Sequence, residues 1–553
     1  VKKRLKAIRE RGGRLVVVDP RHTETARLAD EHLAIRPGTD ALLLAALLHT
    51  VFAEALGGAE SIGHLGAITD GVDTLRAVVE PFPPERVADA TGIDAATIRQ
   101  LARDFAAAER AVAYGRMGTS TQEFGTLCQW LVQSLNLVTG NLDRVGGGMF
   151  TQPAIDIVGR GHGGGSYGRW RSRVRGLPEF GGELPVATLA EDILAEASDD
   201  DDPDASRRAR IQALITVAGN PVLSTPNGRR LETAIRSLDF RVAIDLYVNE
   251  TTRHADVILP PTPPLEHEHY DLVFHALAIR DTARFSPPLF EPPTGALHDW
   301  QILLELERRL VPNPPAKFRL GRAVRGWLGP SGLIDLGLRT GPHGAGLLGL
   351  GRGLTLGRLK RQPHGVDLGA LGEGRLAERL RAADRRLDTS PDLLVADLGR
   401  LAERLDELSS PDTLVLIGRR QVRSNNSWMH NYSRLMRGAD RCTVMLHPDD
   451  ADRFSVADGA TVRVRSRVGE VTAPAEVTDT IRPGVISLPH GFGHGRQGAR
   501  LRVADASPGV SINDLTDEAR IDAVSGNTAF SGVPVTVEAV RADTEGARSA
   551  AGG

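Results

Sequence analysis

The chain has 553 residues, 41% of them hydrophobic and 25% charged, with a net charge of −3 and two cysteines. That length exceeds one compact domain, so roughly three or four units are expected. The near balance of 67 basic and 70 acidic residues excludes a broadly electropositive nucleic-acid binder, and Cys128 and Cys442 are too few for an iron–sulfur site, a CxxC zinc site or a disulfide scaffold.

The longest apolar runs, such as residues 41–48, fall far short of the ~20 residues that span a bilayer. Val1-Lys2-Lys3-Arg4-Leu5-Lys6 does not lead into a signal-peptide core, so a soluble chain is expected. Arg14-Leu15-Val16-Val17-Val18 reads as a buried parallel strand stopped by Asp19-Pro20. Helical spacing of Leu43, Leu47 and Leu48 predicts a helix over residues 40–56. Ala111-Val112-Ala113-Tyr114 reads as a second strand, broken by the turn at residues 115–122 and followed by a helix to about residue 137. Residues 211–217 and 240–244 are two further strands, ending at Ala218-Gly219-Asn220-Pro221 and at Asp245, with a helix near 229–236 between them. Strands alternating with helices predict parallel α/β layers. The Gly- and Arg-rich residues 159–182 and the acidic run 199–202 read as surface loops.

From residue 312 to 411 the text turns Gly-, Arg- and Leu-rich and reads as a connector, helical near 377–387 and 393–408. A β grammar begins at Leu414-Val415-Leu416-Ile417-Gly418, continues where Val462 and Val464 alternate with Arg463 and Arg465, and ends near Val485-Ile486-Ser487-Leu488. A C-terminal β-barrel is expected there. The predicted division is a first α/β unit at 1–150, a second at 151–311, the connector at 312–411, the barrel at 412–541 and a disordered tail at 542–553.

Ligands of open parallel sheets settle beyond the carboxyl ends of the strands. Asp19, the 115–122 turn, Asn220 and Asp245 all fall at such ends. Each is singly explained by a strand-terminating turn; together they favour a nucleotide-type ligand. No phosphate loop of the Gly-x-x-x-x-Gly-Lys-Ser/Thr kind is present, and no Gly-x-Gly-x-x-Gly follows a strand, which leaves ordinary ATP, GTP or NAD binding without support.

A specific resemblance is carried by several segments in order: Val16-Val17-Val18-Asp19-Pro20-Arg21 through Arg36-Pro37-Gly38-Thr39-Asp40, Gly140-Asn141-Leu142-Asp143, Ala218-Gly219-Asn220-Pro221, and Thr252-Arg253-His254-Ala255-Asp256-Val257-Ile258-Leu259-Pro260. Arg423-Ser424-Asn425-Asn426-Ser427-Trp428, Leu488-Pro489-His490-Gly491 and Gly509-Val510-Ser511-Ile512-Asn513-Asp514-Leu515 extend it. This series resembles the molybdopterin oxidoreductase family, the group of DMSO reductase and formate dehydrogenase catalytic subunits.

The resemblance implies two parallel-sheet dinucleotide-binding domains followed by a double-psi-like β-barrel, and a bis-molybdopterin guanine dinucleotide with molybdenum or tungsten used for two-electron oxygen-atom or hydride transfer. Carried over by position, Asp19, Arg21, Gly38, Thr39 and Asp40 line one dinucleotide. Gly118, Gln122, Asn220 and Asp245 contact pterin or dinucleotide, and Gly418, Arg419, Ser424, Asn425 and Asn513 come from the barrel. The family's cysteine cluster and metal-ligand segment precede the point that matches Val1. The expected cluster therefore belongs to an upstream part or to an electron-transfer partner, and the chain reads as the larger C-terminal part of a catalytic subunit. A non-catalytic cofactor-binding or assembly protein, or an inactive remnant, is the alternative.

Cys128 and Cys442 read as small buried hydrophobes. The arginine-rich run 169–175 would steer an anionic substrate or simply face solvent, and within the loop facing the funnel His162 and Arg169 are the candidate catalytic groups. His430, the His267/His269 pair and the Glu266/Glu268 pair are read as structural rather than metal-binding. A Gln-Asn-Asn-Val-Gln-Gly run typical of formate dehydrogenases is absent from the 159–182 region, which weakens formate as the small-molecule substrate. The expected compartment is the cytoplasm, with the periplasm open.

Overall fold

The computed structural model describes residues 2–157, 166–196, 210–382, 384–408 and 413–540. The acidic run 199–202 and the tail 542–553 lie outside them. In the N-terminal unit the Val16–Val18 strand pairs in parallel with Glu31–Leu33. The Asp40–Ala53 helix is buried on nearly every side, including Leu42, Leu43, Leu47, Leu48 and Val51. It packs against the Ala95–Ala107 and Gly125–Val138 helices. Ile98, Phe124, Leu127 and Leu131 complete this core, and each fully buried Leu or Ile contributes roughly 1.5–3 kcal/mol by leaving water.

Ala111-Val112-Ala113-Tyr114 is extended but joins no strand ladder. Its backbone is held by side chains instead. Asn136 accepts from Ala113 N at 2.8 Å and donates to Ala113 O at 2.9 Å, and Asn141 Oδ1 accepts from Ala111 N at 3.0 Å. Two side-chain amides thus do the work of a neighbouring strand.

The second unit is a three-stranded parallel sheet of Ala213–Val217, Phe240–Ile244 and Val257–Ile258 in that order. The Gly228–Ser237 helix covers it with Leu231, Ala234 and Ile235. Asn227 begins that helix at φ 48°, accepts from Arg230 N and donates to Glu518 across the seam with the C-terminal sheet. Asn tolerates the left-handed conformation and Ala does not, so Asn227→Ala is expected to cost about 1–2 kcal/mol. Lowered melting in a thermal scan checks this; an unchanged midpoint contradicts it.

Residues 312–411 include the Ala316–Thr340 helix, kinked where Gly329 takes φ 58° before Pro330. They also include the Asp392–Glu403 helix, whose Leu398 and Leu401 fill the first core. The Val366–Ala370 strand pairs with Arg280–Ala283 of the preceding region.

The C-terminal sheet has seven strands in the order Val533–Pro534, Val415–Arg419, Val485–Pro489, Val444–Leu446, Glu470–Val477, Thr461–Arg465, Thr536–Ala539. Its two edge strands are separated in sequence by Val535 alone, so the sheet curls until its edges meet. Val462 and Val464 point inward at 0% exposure, while Arg463 pairs with Glu538 and Arg465 with Glu470 outside. The expected mixture of parallel α/β layers and a curled C-terminal β structure is therefore what the chain forms. Among the described residues no helix is long and apolar enough to cross a membrane.

The barrel is bolted to both α/β units. Arg482 donates to Ala34 O at 2.9 Å and Thr91 O at 3.1 Å in the first. Asn513 Nδ2 donates to Leu223 O at 2.6 Å, and Arg229 pairs with Asp514 at 3.0 Å, in the second.

Candidate cofactor cleft

In the first unit the end of the Val16–Val18 strand aims Asp19 at the helix that begins with Asp40. Asp19 Oδ1 accepts from Arg21 N at 2.8 Å, and burial pushes its carboxyl above the usual range. Burial pushes Asp40 up to about 6, helped by the neighbouring charge of Asp19 and opposed by Gln122 Nε2, which donates to Asp40 Oδ2 at 2.9 Å. The same Gln122 amide donates to Gly118 O at 2.9 Å. Gln122 Oε1 is buried and has no partner, and neither has Arg21 Nε. Gly38, at φ 86°, leads into Thr39, whose hydroxyl donates to Arg36 O at 2.7 Å. The fold thus brings Asp19, Arg21, Asp40, Gly118 and Gln122 to one wall, with Gly38 and Thr39 lining a pocket of about 180 Å³ toward Gly532 and Pro534 of the barrel.

The second unit repeats the device. Asp245 follows the Phe240–Ile244 strand, accepts from Leu246 N, Tyr247 N and Asn249 Nδ2, and is pushed up by burial. Asn220, after the Ala213–Val217 strand, accepts from Thr251 Oγ1 and donates to Glu250 Oε2, both at 2.7 Å.

The barrel residues divide. Gly418 is exposed, and a side chain at this position would touch Ile512 at ordinary van der Waals distance. Arg419 is turned inward at 3% exposure, donates to Thr443 and to the carbonyls of Ser487 and Arg441, and is brought down to about 10 by burial. Asn513 is likewise occupied by Leu223 O and Thr516 Oγ1. Asn425 is exposed at φ 42°, and Ser424 lies beneath it at 1% exposure.

Ser424 opens a buried chain of side chains. His430 Nε2 lies 2.7 Å from Ser424 Oγ, and His430 Nδ1 lies 2.9 Å from His494 Nε2. His494 Nδ1 in turn lies 2.8 Å from Glu250 Oε1. Glu250 and His430 are at 0% exposure and His494 at 6%. The chain joins the barrel to the second unit and ends on Asn220. Glu250 and His494 escape a sequence reading because 244 positions separate them; the one local sign is His494 in the His490-Gly491-Phe492-Gly493-His494 run.

The candidate catalytic groups are not gathered here. His162 lies outside the described residues. Arg169 is exposed on a hairpin of Tyr167–Arg171 with Pro178–Phe180, its guanidinium over the Trp170 ring at 4.6 Å. The arginine-rich run is thus part of a hairpin rather than a free loop. Arg171 donates to Gly176 O, Arg173 to Asp192 O and Arg175 to Glu191. Cys128 and Cys442 are both buried, with the Cys442 thiol pushed up to about 11 by burial. No group of three or more His, Cys, Asp or Glu placed to hold a metal ion occurs among the described residues. His267 is bonded to Thr262 and packs edge-on against His298.

The donor set suits a molybdopterin dinucleotide. Carboxylates at strand ends match the N–H edge of a guanine, and arginines match phosphate oxygens. The orphaned Gln122 Oε1 beside Asp40, and Ser511 Oγ beside a separate groove of about 440 Å³ between the barrel and the second unit, lack partners that a polar ligand would supply.

Comparison with known proteins agrees. A family model described as molybdopterin oxidoreductase matches residues 2–309, and one described as a molybdopterin dinucleotide binding domain matches residues 414–534. The chain is 25% identical over 536 residues to the F420-dependent formate dehydrogenase subunit alpha of Methanocaldococcus jannaschii, covering 94% of this chain and 72% of that protein. It is 28% identical over 320 residues to the assimilatory nitrate reductase catalytic subunit of Bacillus subtilis, covering 55% of this chain and 42% of that one. It is 22% identical over 546 residues to a dimethyl sulfoxide/trimethylamine N-oxide reductase of Rhodobacter capsulatus, covering 88% and 62%. The solved structure of acetylene hydratase from Pelobacter acetylenicus shares the fold, with a TM-score of 0.73, 18% identity, and coverage of 98% of this chain and 75% of that one. With the matched models spanning both α/β units and the barrel, the chain belongs to the molybdopterin oxidoreductase family.

Proposed function

We propose that the chain cradles a bis-molybdopterin guanine dinucleotide carrying molybdenum or tungsten, one dinucleotide per α/β unit, with the barrel closing over both. The observation that carries this reading is the repeated carboxylate: Asp19 and Asp245 each follow a parallel strand, and each is held above its usual proton affinity by burial. Each carboxylate accepts from a guanine edge, and a ligand N–H donor compensates the desolvation that raises it. Arg21, Gly38, Thr39, Asp40, Gly118 and Gln122 line the first dinucleotide and its pterin, while Asn220, Gly418, Ser424 and Asn425 line the second. Arg419 and Asn513 act from behind, by fixing the barrel strands and the seam.

When bound, the metal supplies two-electron oxygen-atom or hydride chemistry on a small molecule. The protein's part is to bind, orient and exclude water, with the barrel bolted across both units. Electrons leave through an iron–sulfur group outside these residues, since the two cysteines are buried and provide too few thiolates.

Asp19→Ala and Asp245→Ala are each expected to weaken guanosine diphosphate binding at least tenfold, about 1.4 kcal/mol. Calorimetric titration measures this, with NAD as the control that does not bind. Metal analysis of the loaded protein should find about one molybdenum or tungsten per chain, given one bis-dinucleotide site. A loaded protein containing neither metal, or nucleotide affinity indifferent to both substitutions, would overturn the reading.

A further inference from the structure

The Glu250, His494, His430 and Ser424 chain has a definite proton order. Glu250 is fully buried, and its carboxylate is bonded to His494 Nδ1 and Asn220 Nδ2. The His494 and Asn220 contacts hold it below the usual carboxylate range despite burial, so it is ionised and only accepts. His494 must therefore carry its proton on Nδ1. In the neutral chain His494 Nε2 is then bare and accepts from His430 Nδ1–H. His430 Nε2 is bare in turn and accepts from the Ser424 hydroxyl.

One added proton reverses every bond beyond Glu250. His494 then carries protons on both nitrogens and donates Nε2–H to His430 Nδ1. His430 donates Nε2–H to Ser424 Oγ, and Ser424 keeps a hydroxyl proton that is no longer engaged by His430 and is free to donate toward the Asn425 turn. A proton entering at Ser424 achieves this in three short hops. Ser424 Oγ takes the incoming proton and passes its own to His430 Nε2, and His430 passes its Nδ1 proton to His494 Nε2. One proton is gained, no electron moves and no heavy atom is displaced.

We propose that Glu250, His494 and His430 form a buried relay that stores one proton and sets whether Ser424 accepts or donates toward the cofactor cleft. His430, His494 and Glu250 are positioning residues acting through Ser424. The surroundings tune the store. Arg441 faces His430 and Phe492 packs on its ring at 4.4 Å, and with burial and His494 they disfavour charge on His430 itself. Arg253 donates to the Glu250 backbone while its guanidinium is drawn to Glu232 and Gln497 O, and Arg496 pairs with Glu232 and Asp514. Of the two rings, His494 is the one that lies against the Glu250 carboxylate, whereas His430 is buried between His494, Arg441 and Phe492. The link to a cofactor rests on the proposed role of Ser424 and Asn220; the relay itself rests on the geometry alone.

Nitrogen NMR of the full chain labelled in histidine, without cofactor, tests the relay. At high pH both His430 and His494 should carry the proton on Nδ1 with Nε2 bare, and on acidification the pair should gain one proton in a single step. Glu250→Gln should lower the proton affinity of the pair at least tenfold, about one pH unit. His430 protonated on Nε2 at high pH overturns the proposal from the wild-type spectrum alone, whether or not the variant folds. So does a Glu250→Gln midpoint within twofold of wild type.

A second arm titrates guanosine diphosphate calorimetrically in buffers of different ionisation enthalpy. Proton uptake on binding that disappears in Glu250→Gln supports the link to the cleft, and binding without proton exchange overturns that link. Failure of the nucleotide to bind would sink the dinucleotide reading, together with the link, while leaving the tautomer result to decide the relay.

Discussion

Replacing Asp40 by asparagine is expected to raise the melting temperature of the cofactor-free chain at pH 8 and to leave it unchanged at pH 4. Burial pushes the Asp40 carboxyl up to about 6 from an ordinary 3.8. Between those values the folded chain binds more protons than the unfolded one, so stability falls as pH rises through the window, and the full penalty stands above about pH 6. At about 1.4 kcal/mol per pH unit, the span from 3.8 to about 6 amounts to roughly 3 kcal/mol as an upper figure. Asparagine keeps an oxygen to accept from Gln122 and carries no charge. The same variant should retain molybdopterin less well, since an under-solvated carboxylate beside the unpartnered Gln122 Oε1 is what an incoming N–H donor relieves. Thermal scans at the two pH values decide the first part; an equal shift at both would contradict the assignment of the penalty to ionised Asp40.

Asp522→Ala should destabilise the chain by about 3–5 kcal/mol, the range for leaving several buried donors without a partner. Asp522 is at 0% exposure and takes Thr126 N at 3.1 Å, Thr126 Oγ1 and Ser525 Oγ at 2.5 Å each, and Ser525 N at 2.9 Å. Thr126 sits in the first turn of the Gly125–Val138 helix, whose own N-cap position, Phe124, provides no side-chain bond. A residue from the C-terminal region therefore caps a helix of the first unit, 396 positions away. Asp522→Asn keeps the acceptor oxygen and should cost only about 1–2 kcal/mol. Hydrogen exchange should show the first turn of that helix opening in Asp522→Ala before the remainder melts. Wild-type protection there would remove Asp522 from the capping role.

The elements that read cleanly from the sequence are those whose pattern is local. Residues 240–244 form the expected strand because strands pair with it on both sides and bury its apolar end, Val242, Ala243 and Ile244. Val462 and Val464 alternate with arginines because one face of that strand looks into the barrel. Ala111-Val112-Ala113-Tyr114 misleads because its backbone partners are the side chains of Asn136 and Asn141, which carry no β signal. The Ala316–Thr340 helix is hard to read because it exposes Phe318, Leu320 and Trp327 as well as its arginines, leaving little contrast between faces.

The site divides in the same way. Asp19 and Asp245 are legible because each follows its strand directly, and Asn220 because only Ala218 and Gly219 separate it from its strand, so strand direction puts them at the ligand-binding end of a parallel sheet. Which way a side chain turns there is not a property of the strand. Arg419, next to Gly418, turns into the barrel to hold Ser487 and Thr443, while Ser424 turns down onto His430.

By itself the sequence determined the order of the units, the family motifs and the acidic strand ends, because these depend on periodicity and on neighbours a few positions apart. The tertiary structure alone decided the Glu250, His494, His430 and Ser424 chain and the capping by Asp522. Hydrogen bonds reach only about 3 Å, and the chain brings such distant residues within that reach only when the barrel packs against both α/β units.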